Sequence, residues 1–360
     1  MIDETRLLNL FLDLVRISSP SGSEGLVAEA ITSELRALGM AAERDGAGNL
    51  LTRLDGEGEP LLLTAHMDTV GPCENVRPVV RDGVVYSDGT TILGADDKAG
   101  VAVMLEVLRI LKEGKDGHRP VEALFTVREE VGLEGAKEFD TSRLQARMGI
   151  GLDAGGEQGT LVVSAPSQNT LLATVHGKMA HAGANPELGI NAIRVAAEAI
   201  AAMPLGRIDE ETTANIGVIS GGTATNIVPD LVTIRGEARS RSEDKLQAQT
   251  DAMVRALQER AEANGAQVDV EVMRQYDPYT FDETDPVIAL VTGAMRAVGV
   301  EPIMVPTGGG SDANVFNSAG IATVQVSCGM AEVHTCDEHV AVSDMVSTAR
   351  IVLAALRPTA

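Results

Sequence analysis

Apolar side chains near the start of the chain recur every three or four residues, so Leu7, Leu10, Phe11, Leu14 and Val15 fall on one helical face. The loop SSPSGSEG separates this helix from a second, GLVAEAITSELRAL, which Gly39 closes. The period then changes. PLLLTAHMDTV is a continuous apolar run bounded by Pro60 and by Gly71-Pro72, the pattern of a strand covered on both faces. Turn signals follow at Asp82-Gly83 and Asp88-Gly89. A long helix over about 98–112 carries Val101, Leu105, Leu108, Ile110 and Leu111 and stops at Gly114. Two more buried runs, VEALFTV and MGIGLD, flank a helical patch after GLEGAKEF. Buried strands alternating with helices predict an α/β layered domain.

From Leu171 the texture alters. LLATVHGK, NAIRVAAEAIAAM, TTANIGVIS, LVTIRGEARS, EDKLQAQTDAMVRALQERAEANG and AQVDVEVM read in order as β, α, β, β, α, β, the ferredoxin-like arrangement. Helix and buried-strand texture returns in TDPVIALVTGAMRAVGV, ATVQVSCG and SDMVSTARIVLAAL. The economical organisation is one α/β domain, 1–170 and 280–360, interrupted by a compact α+β insertion, 171–279.

Composition narrows the class. Of 360 residues 44% are hydrophobic, enough to bury real cores, so the chain is globular rather than disordered. It carries 29 basic and 52 acidic side chains, a net charge of -23, with no Lys/Arg-rich run. Such a surface repels phosphate backbones and anionic lipid, which argues against nucleic acid and membranes as partners. The first residues, MIDETRLLNLFLDLVR, lack the basic start and unbroken apolar core of a secretion signal. No apolar run approaches the ~20 residues of a membrane span. Cys73, Cys328 and Cys336 form an odd, sparse set that suits a reducing cytoplasm better than a disulfide framework.

Polar residues able to bind metal gather just past the C-terminal ends of the predicted strands. His66 and Asp68 follow PLLLTA, Glu129 and Glu130 follow ALFTVR, Asp153 follows GIGL, and His334 follows ATVQVS; Asp96 opens the long helix. In open α/β sheets that edge is where ligands bind. Each piece alone is ordinary, but two imidazoles and several carboxylates together match the N/O ligand set of zinc, cobalt or manganese. Two ions about 3.5–4 Å apart need a bridging carboxylate, and such a pair polarises a carbonyl and generates hydroxide.

TAHMDTV, GADDKAG, REEVGLEGA, GLDAG, GKMAHAGANPELGINAI, TNIVPD, GGGSDA and VHT occur in the order found in the two-zinc exopeptidases that include peptidase T, the glutamate carboxypeptidases, succinyl-diaminopimelate desuccinylase and the aminoacylases. The chain resembles this family over nearly its whole length, and HAGANPELGINAI and TILGADDKAG look most like the peptidase T-like members. The resemblance implies a zinc-peptidase-like three-layer catalytic domain with an inserted ferredoxin-like lid, and two divalent ions per subunit, zinc first, cobalt or manganese as alternatives. It implies His66 and Asp153 on one ion, Glu130 and His334 on the other, and Asp96 between them. Asp97 would be a helix-start or supporting group. Asp68 would fix the His66 tautomer from behind, and Glu129 would be the general base.

In the lid, His181 would polarise the scissile carbonyl, in dimeric relatives across to the partner subunit's site. Asn226 and Arg239 would hold the substrate backbone or carboxylate. Gly308, Gly309, Gly310 and Ser311 precede a predicted helix, so their amides could cradle an anion or carbonyl. The implied activity is hydrolysis of short peptides, with removal of the N-terminal residue of tripeptides first and a homodimer through the lid possible. N-acyl-amino-acid hydrolases and glutamate-type carboxypeptidases share the metal centre and remain open, because Arg239 and the glycine cradle suit a free carboxylate equally well. A protein that only held metal would need neither Glu129 nor Asp68. Cys336, His118, His176 and His339 receive no role.

Overall fold

A computed structural model describes residues 2–357. The chain divides into two compact units, one comprising Met1–Val163, Thr280–Pro306 and Ser311–Ala360, the other Ser164–Tyr279 and Thr307–Gly310.

The larger unit is built on the strand Leu61–His66, whose six residues are all buried. It pairs in parallel with Val121–Thr126 on one side and with Met148–Gly155 on the other, and the latter pairs in parallel with Ala322–Ala331. The two-residue period sorts side chains between the faces of the sheet. Leu61, Leu63 and Ala65 join Val121, Ala123 and Phe125 in one core, while Leu62 joins Leu51 and Leu124 against Phe139 and Phe316 in another. The first core is covered by Glu4–Val15, Ala95–Glu113, Pro286–Ala297 and Val342–Leu356 and the second by Glu134–Glu138 and Asp312–Ser318, so this unit is a three-layer α/β sandwich. Glu4–Val15 starts where Asp3 accepts the Arg6 amide hydrogen at 3.0 Å and buries Leu7, Phe11, Leu14 and Val15. The chain leaves Leu61–His66, enters Val121–Thr126 on one flank and later Met148–Gly155 on the other. That reversal of direction opens a crevice at the C-terminal ends of the central strands.

Several strands lie outside the sequence reading, among them Thr160–Ala165, which runs antiparallel to Ala322–Ala331. Ala42–Arg44 and Leu50–Leu54 form a hairpin whose second arm runs antiparallel to Val121–Thr126. Leu50–Leu54 is short and interrupted by exposed Arg53, so its apolar signal is weak, yet Leu50, Leu51, Thr52 and Leu54 are buried. The Asp82-Gly83 signal does mark a hairpin, with Arg81 opposite Val84 and both turn residues at positive φ (50° and 79°).

The smaller unit is an antiparallel sheet in the order Gly206–Arg207, Thr212–Gly221, Leu231–Ser240, Ser167–His176, Gln267–Tyr276. Helices Ala192–Ala202 and Glu243–Ala263 pack on it through Leu171, Ala173, Val175, Val232 and Ile234. Setting aside the two-residue edge strand, this is the ferredoxin-like β-α-β-β-α-β order. Its boundaries differ from 171–279 because the first strand begins with polar residues that are nonetheless buried. Ser167 Oγ donates to the Ser240 carbonyl at 3.0 Å and Asn169 Nδ2 to Thr250 Oγ1 at 3.1 Å. The glycine loop belongs to the same unit, with Gly310 so close to the Tyr276 ring that a Cβ could not fit.

Candidate active site

At the C-terminal edge of the parallel strands the larger unit gathers His66, Asp96, Glu129, Glu130, Asp153 and His334. Three overlapping groups each place their ligand atoms within 4.8 Å of one another: His66, Asp96 and Asp153; Asp96, Glu130 and His334; His66, Glu129 and Glu130. Asp96 faces both imidazoles. Its Oδ1 lies 3.1 Å from His66 Nε2 and its Oδ2 3.4 Å from His334 Nε2. Asp153 Oδ1 is 3.9 Å from His66 Nε2, and Glu130 Oε1 is 3.0 Å from His334 Nε2.

Each side chain is placed by its element. His66 ends its strand and is 2% exposed. Its Nδ1 is 2.9 Å from the Asp68 backbone carbonyl and 3.5 Å from the Asp68 carboxylate, so Nδ1 carries a hydrogen and Nε2 is the nitrogen turned toward Asp96, free to bind a cation once it gives up its own proton. The nearer partner is the carbonyl, not the expected carboxylate. The Asp68 carboxylate instead organises the next loop, Oδ1 accepting from the Glu129 amide at 2.9 Å and Oδ2 from the Glu130 amide at 3.2 Å and from Ser21 Oγ at 2.7 Å. That loop is pinned elsewhere too. Glu24 accepts the Arg128 amide, and Asn49 accepts from the Val127 amide and donates to the Gly135 carbonyl. Arg128 and His334 both adopt the left-handed region, at φ 52° and 64°. Such conformations persist only where surrounding contacts fix them.

Of the acid pair, Asp97 turns inward, accepting the His66 amide on Oδ2 and the Gly100 amide on Oδ1, both at 3.2 Å, beneath the imidazole. Ser21 and Asp312 were not singled out from sequence. Asp312 is buried, accepts from Thr126 Oγ1 at 2.5 Å, and leaves Oδ1 without a hydrogen-bond partner. No sequence signal separates it from any acid at a helix start.

The electrostatics of the cluster call for cations. Burial, reinforced by the Asp96 and Glu129 charges, pushes Asp153 well above the carboxylate range. Glu129 is likewise raised, by burial first and then by Asp312, Glu130 and Asp96. Burial would raise Asp96 as well, but hydrogen bonds from His334 and His66 hold it well below the ordinary range. His334 is pushed up to about 10 by its hydrogen bonds to Asp96 and Glu130. Burial opposes protonation of His66, yet Asp68 and Asp96 raise it well above its ordinary value. Protons are thus drawn to Asp153, Glu129 and both imidazoles, the behaviour of a ligand set with more negative charge than its own residues neutralise. Neutral imidazole nitrogens and hard carboxylate oxygens fit divalent ions of the zinc, cobalt and manganese type.

The remaining candidates lie in the smaller unit, apart from Ser311. His181 is exposed, and its Nδ1 accepts the amides of Gly183 at 3.1 Å and Ala184 at 3.0 Å, which leaves the hydrogen on Nε2 as an outward donor. The Asn226 carbonyl accepts the Ala182 amide at 2.9 Å, tying its exposed turn to the His181 loop. The Arg239 guanidinium is forked onto Glu237, with both contacts at 3.0 Å. Gly309 donates its amide to Thr307 Oγ1 at 3.1 Å, and Ser311, heading the helix Asp312–Ser318 in the larger unit, donates its own to Asn314 Oδ1 at 3.0 Å. Two of the four cradle amides are therefore engaged within their own loop.

The chain as a whole is similar to known proteins. The chain is 43% identical to the Bacillus subtilis (strain 168) protein YqjE over the full length of both. The crystal structure of aminopeptidase PepT from Bacillus cereus is 43% identical and superposes with a TM-score of 0.87, over 99% of this chain and 98% of that one. A tripeptidase from Staphylococcus aureus is 40% identical with a TM-score of 0.93, over the same shares. The profile of Peptidase family M20/M25/M40 matches residues 62–357, which span every strand-end ligand candidate described above. The chain is a member of Peptidase family M20/M25/M40, a metallopeptidase of the peptidase T-like kind.

Proposed function

We propose that this protein is an aminopeptidase for short peptides, tripeptides above all, working with two zinc ions held by His66, Asp153, Glu130 and His334 and shared through Asp96. The observation that carries the reading is the position of Asp96, with one carboxylate oxygen toward each imidazole. It is supported by the similarity to an aminopeptidase and a tripeptidase at 40% identity or above. Bound divalent ions polarise a scissile carbonyl and acidify water. The protein's own groups do the rest. Glu129, 8% exposed and raised by burial, takes the proton of the attacking water and hands it to the departing amine. His181 donates its Nε2 hydrogen to the carbonyl oxygen as negative charge develops there. Asp68 keeps Glu129 and Glu130 in place through their amides.

Asn226, Arg239 and the Gly309, Gly310 and Ser311 turn are the proposed contacts to the peptide backbone and carboxylate. For Arg239 this requires Glu237 to share or release the guanidinium. Two copies are proposed to associate through the smaller unit, whose strand Thr212–Gly221, paired with Gly206–Arg207 only at Thr213 and Ala214, exposes Val218 and Ile219, each 50% accessible. Three free cysteines support a place in the reducing cytoplasm, and no helix among the described residues is long and apolar enough to cross a membrane.

The test is mass spectrometry of the products from one tripeptide offered with a free and with an acetylated amino terminus, with and without chelator. Loss of the N-terminal residue from the free peptide alone, abolished by chelator, is the expected result. Release of the C-terminal residue, or of acetate, would overturn it. Within the same assay His181→Ala is expected to lower kcat by about 10²–10³-fold while bound metal, measured by plasma mass spectrometry, stays at the wild-type level.

A further inference from the structure

The Asp96 loop has a buried anchor that lies far from it in sequence. Glu338 is 1% exposed, and no cation among the described residues is hydrogen-bonded to it. Its Oε2 accepts the Gly94 amide at 2.7 Å and its Oε1 the Asp96 amide at 2.9 Å. A carboxylate out of water is tolerated when N–H groups converge on it, and those groups are in turn stranded if it is removed. Glu338 lies four residues beyond His334, at the end of a turn closed by its own amide on the Thr335 carbonyl at 3.2 Å. The same turn is fastened again where Ser87 Oγ, 2.7 Å from the Thr91 carbonyl, also reaches the Cys336 carbonyl at 3.3 Å. Gly94 holds φ 77°, and a Cβ there would stand 3.3 Å from Thr69 Cγ2, so the turn that presents its amide to Glu338 is one that a side chain would strain.

We propose that Glu338 is a positioning residue for the centre: its carboxylate fixes the 94–96 backbone, and with it both oxygens of Asp96, in register with His334. This rests on the reading of Asp96 and His334 as ligands. The residue touches neither substrate nor metal and acts by joining the two loops that supply the shared ligand and the more exposed imidazole. Gln at this position keeps the shape but offers one acceptor oxygen and turns an N–H₂ toward amides that need acceptors.

The test is cobalt titration of the chelated protein, followed by calorimetry and by the visible absorption of bound cobalt, for wild type, Glu338→Gln, Glu338→Asp and Asp96→Ala, each checked for folding by circular dichroism. Glu338→Gln is expected to weaken cobalt binding by about 10–100-fold with an altered cobalt spectrum, and Glu338→Asp, which restores two acceptor oxygens, to bind more tightly than Glu338→Gln. Wild-type affinity and spectrum in Glu338→Gln, with binding lost in Asp96→Ala, would overturn the role of Glu338 and leave the centre standing. Wild-type affinity in Asp96→Ala as well would overturn the reading of the centre itself. Should Glu338→Gln not fold, hydrogen exchange on the wild-type apoprotein decides. The Gly94 and Asp96 amides are expected to be strongly protected, and exchange at the rate of exposed amides would overturn the proposal.

Discussion

Glu129→Gln lowers kcat by about 10²–10⁴-fold, the share general acid–base catalysis ordinarily supplies, while the protein keeps its fold and its full complement of metal. The backbone of Glu129 is held by Asp68 through its amide, and Gln leaves that hydrogen bond untouched. What it removes is a group able to take up a proton and release it again. Glu129 is suited to this by burial and by the neighbouring Asp312, Glu130 and Asp96 charges, all of which raise its proton affinity. The measurement is kcat and KM beside metal content. One of the three ligand groups pairs Glu129 with His66 and Glu130, so the outcome is informative either way. A variant that loses metal together with activity would make Glu129 a ligand rather than the base.

Asp96→Ala is expected to have a still broader effect, because its two oxygens face different imidazoles. Without it His66 retains only Asp153, and Glu130 only His334, within the two groups it joins. Two donors from the protein are fewer than the three or four of ordinary zinc sites. Both ions should therefore bind more weakly by more than about 100-fold, beyond what changes behind the ligands cost, and activity should disappear with them. Equilibrium dialysis with plasma mass spectrometry reads this directly. Loss of one ion with retention of the other would remove Asp96 from the shared position.

Much of this architecture is legible because burial and period speak with one voice. Leu61–His66 is apolar but for Thr64 until its last residue, so His66 is seen to mark the strand end, and the same logic places Glu129, Asp153 and His334 at one edge. The ferredoxin-like order is legible for the same reason, since its helices and strands each carry a clear period. What escapes is whatever depends on distant backbone. Nothing local reports that the Asp68 carboxylate serves the Glu129 and Glu130 amides while its carbonyl serves His66. The choice between Asp96 and Asp97 came from family likeness, not from the residues, and its geometric reason is that Asp97 turns under the strand to accept the His66 amide. Arg239 in GEARS resembles a residue that holds the substrate backbone or carboxylate, and its engagement by Glu237, two residues away on the same face of the strand, goes unread. Leu50–Leu54 escapes because five residues interrupted by Arg53 are too few to establish a period.

The account stands on one arrangement, in which a single carboxylate joins two ligand groups at the edge of a parallel sheet. Native mass spectrometry of the chelated protein titrated with zinc tests it most directly. Two ions per chain, with the second filling before any further weak binding, is the predicted result. Saturation at one ion per chain, or no specific uptake, would contradict it.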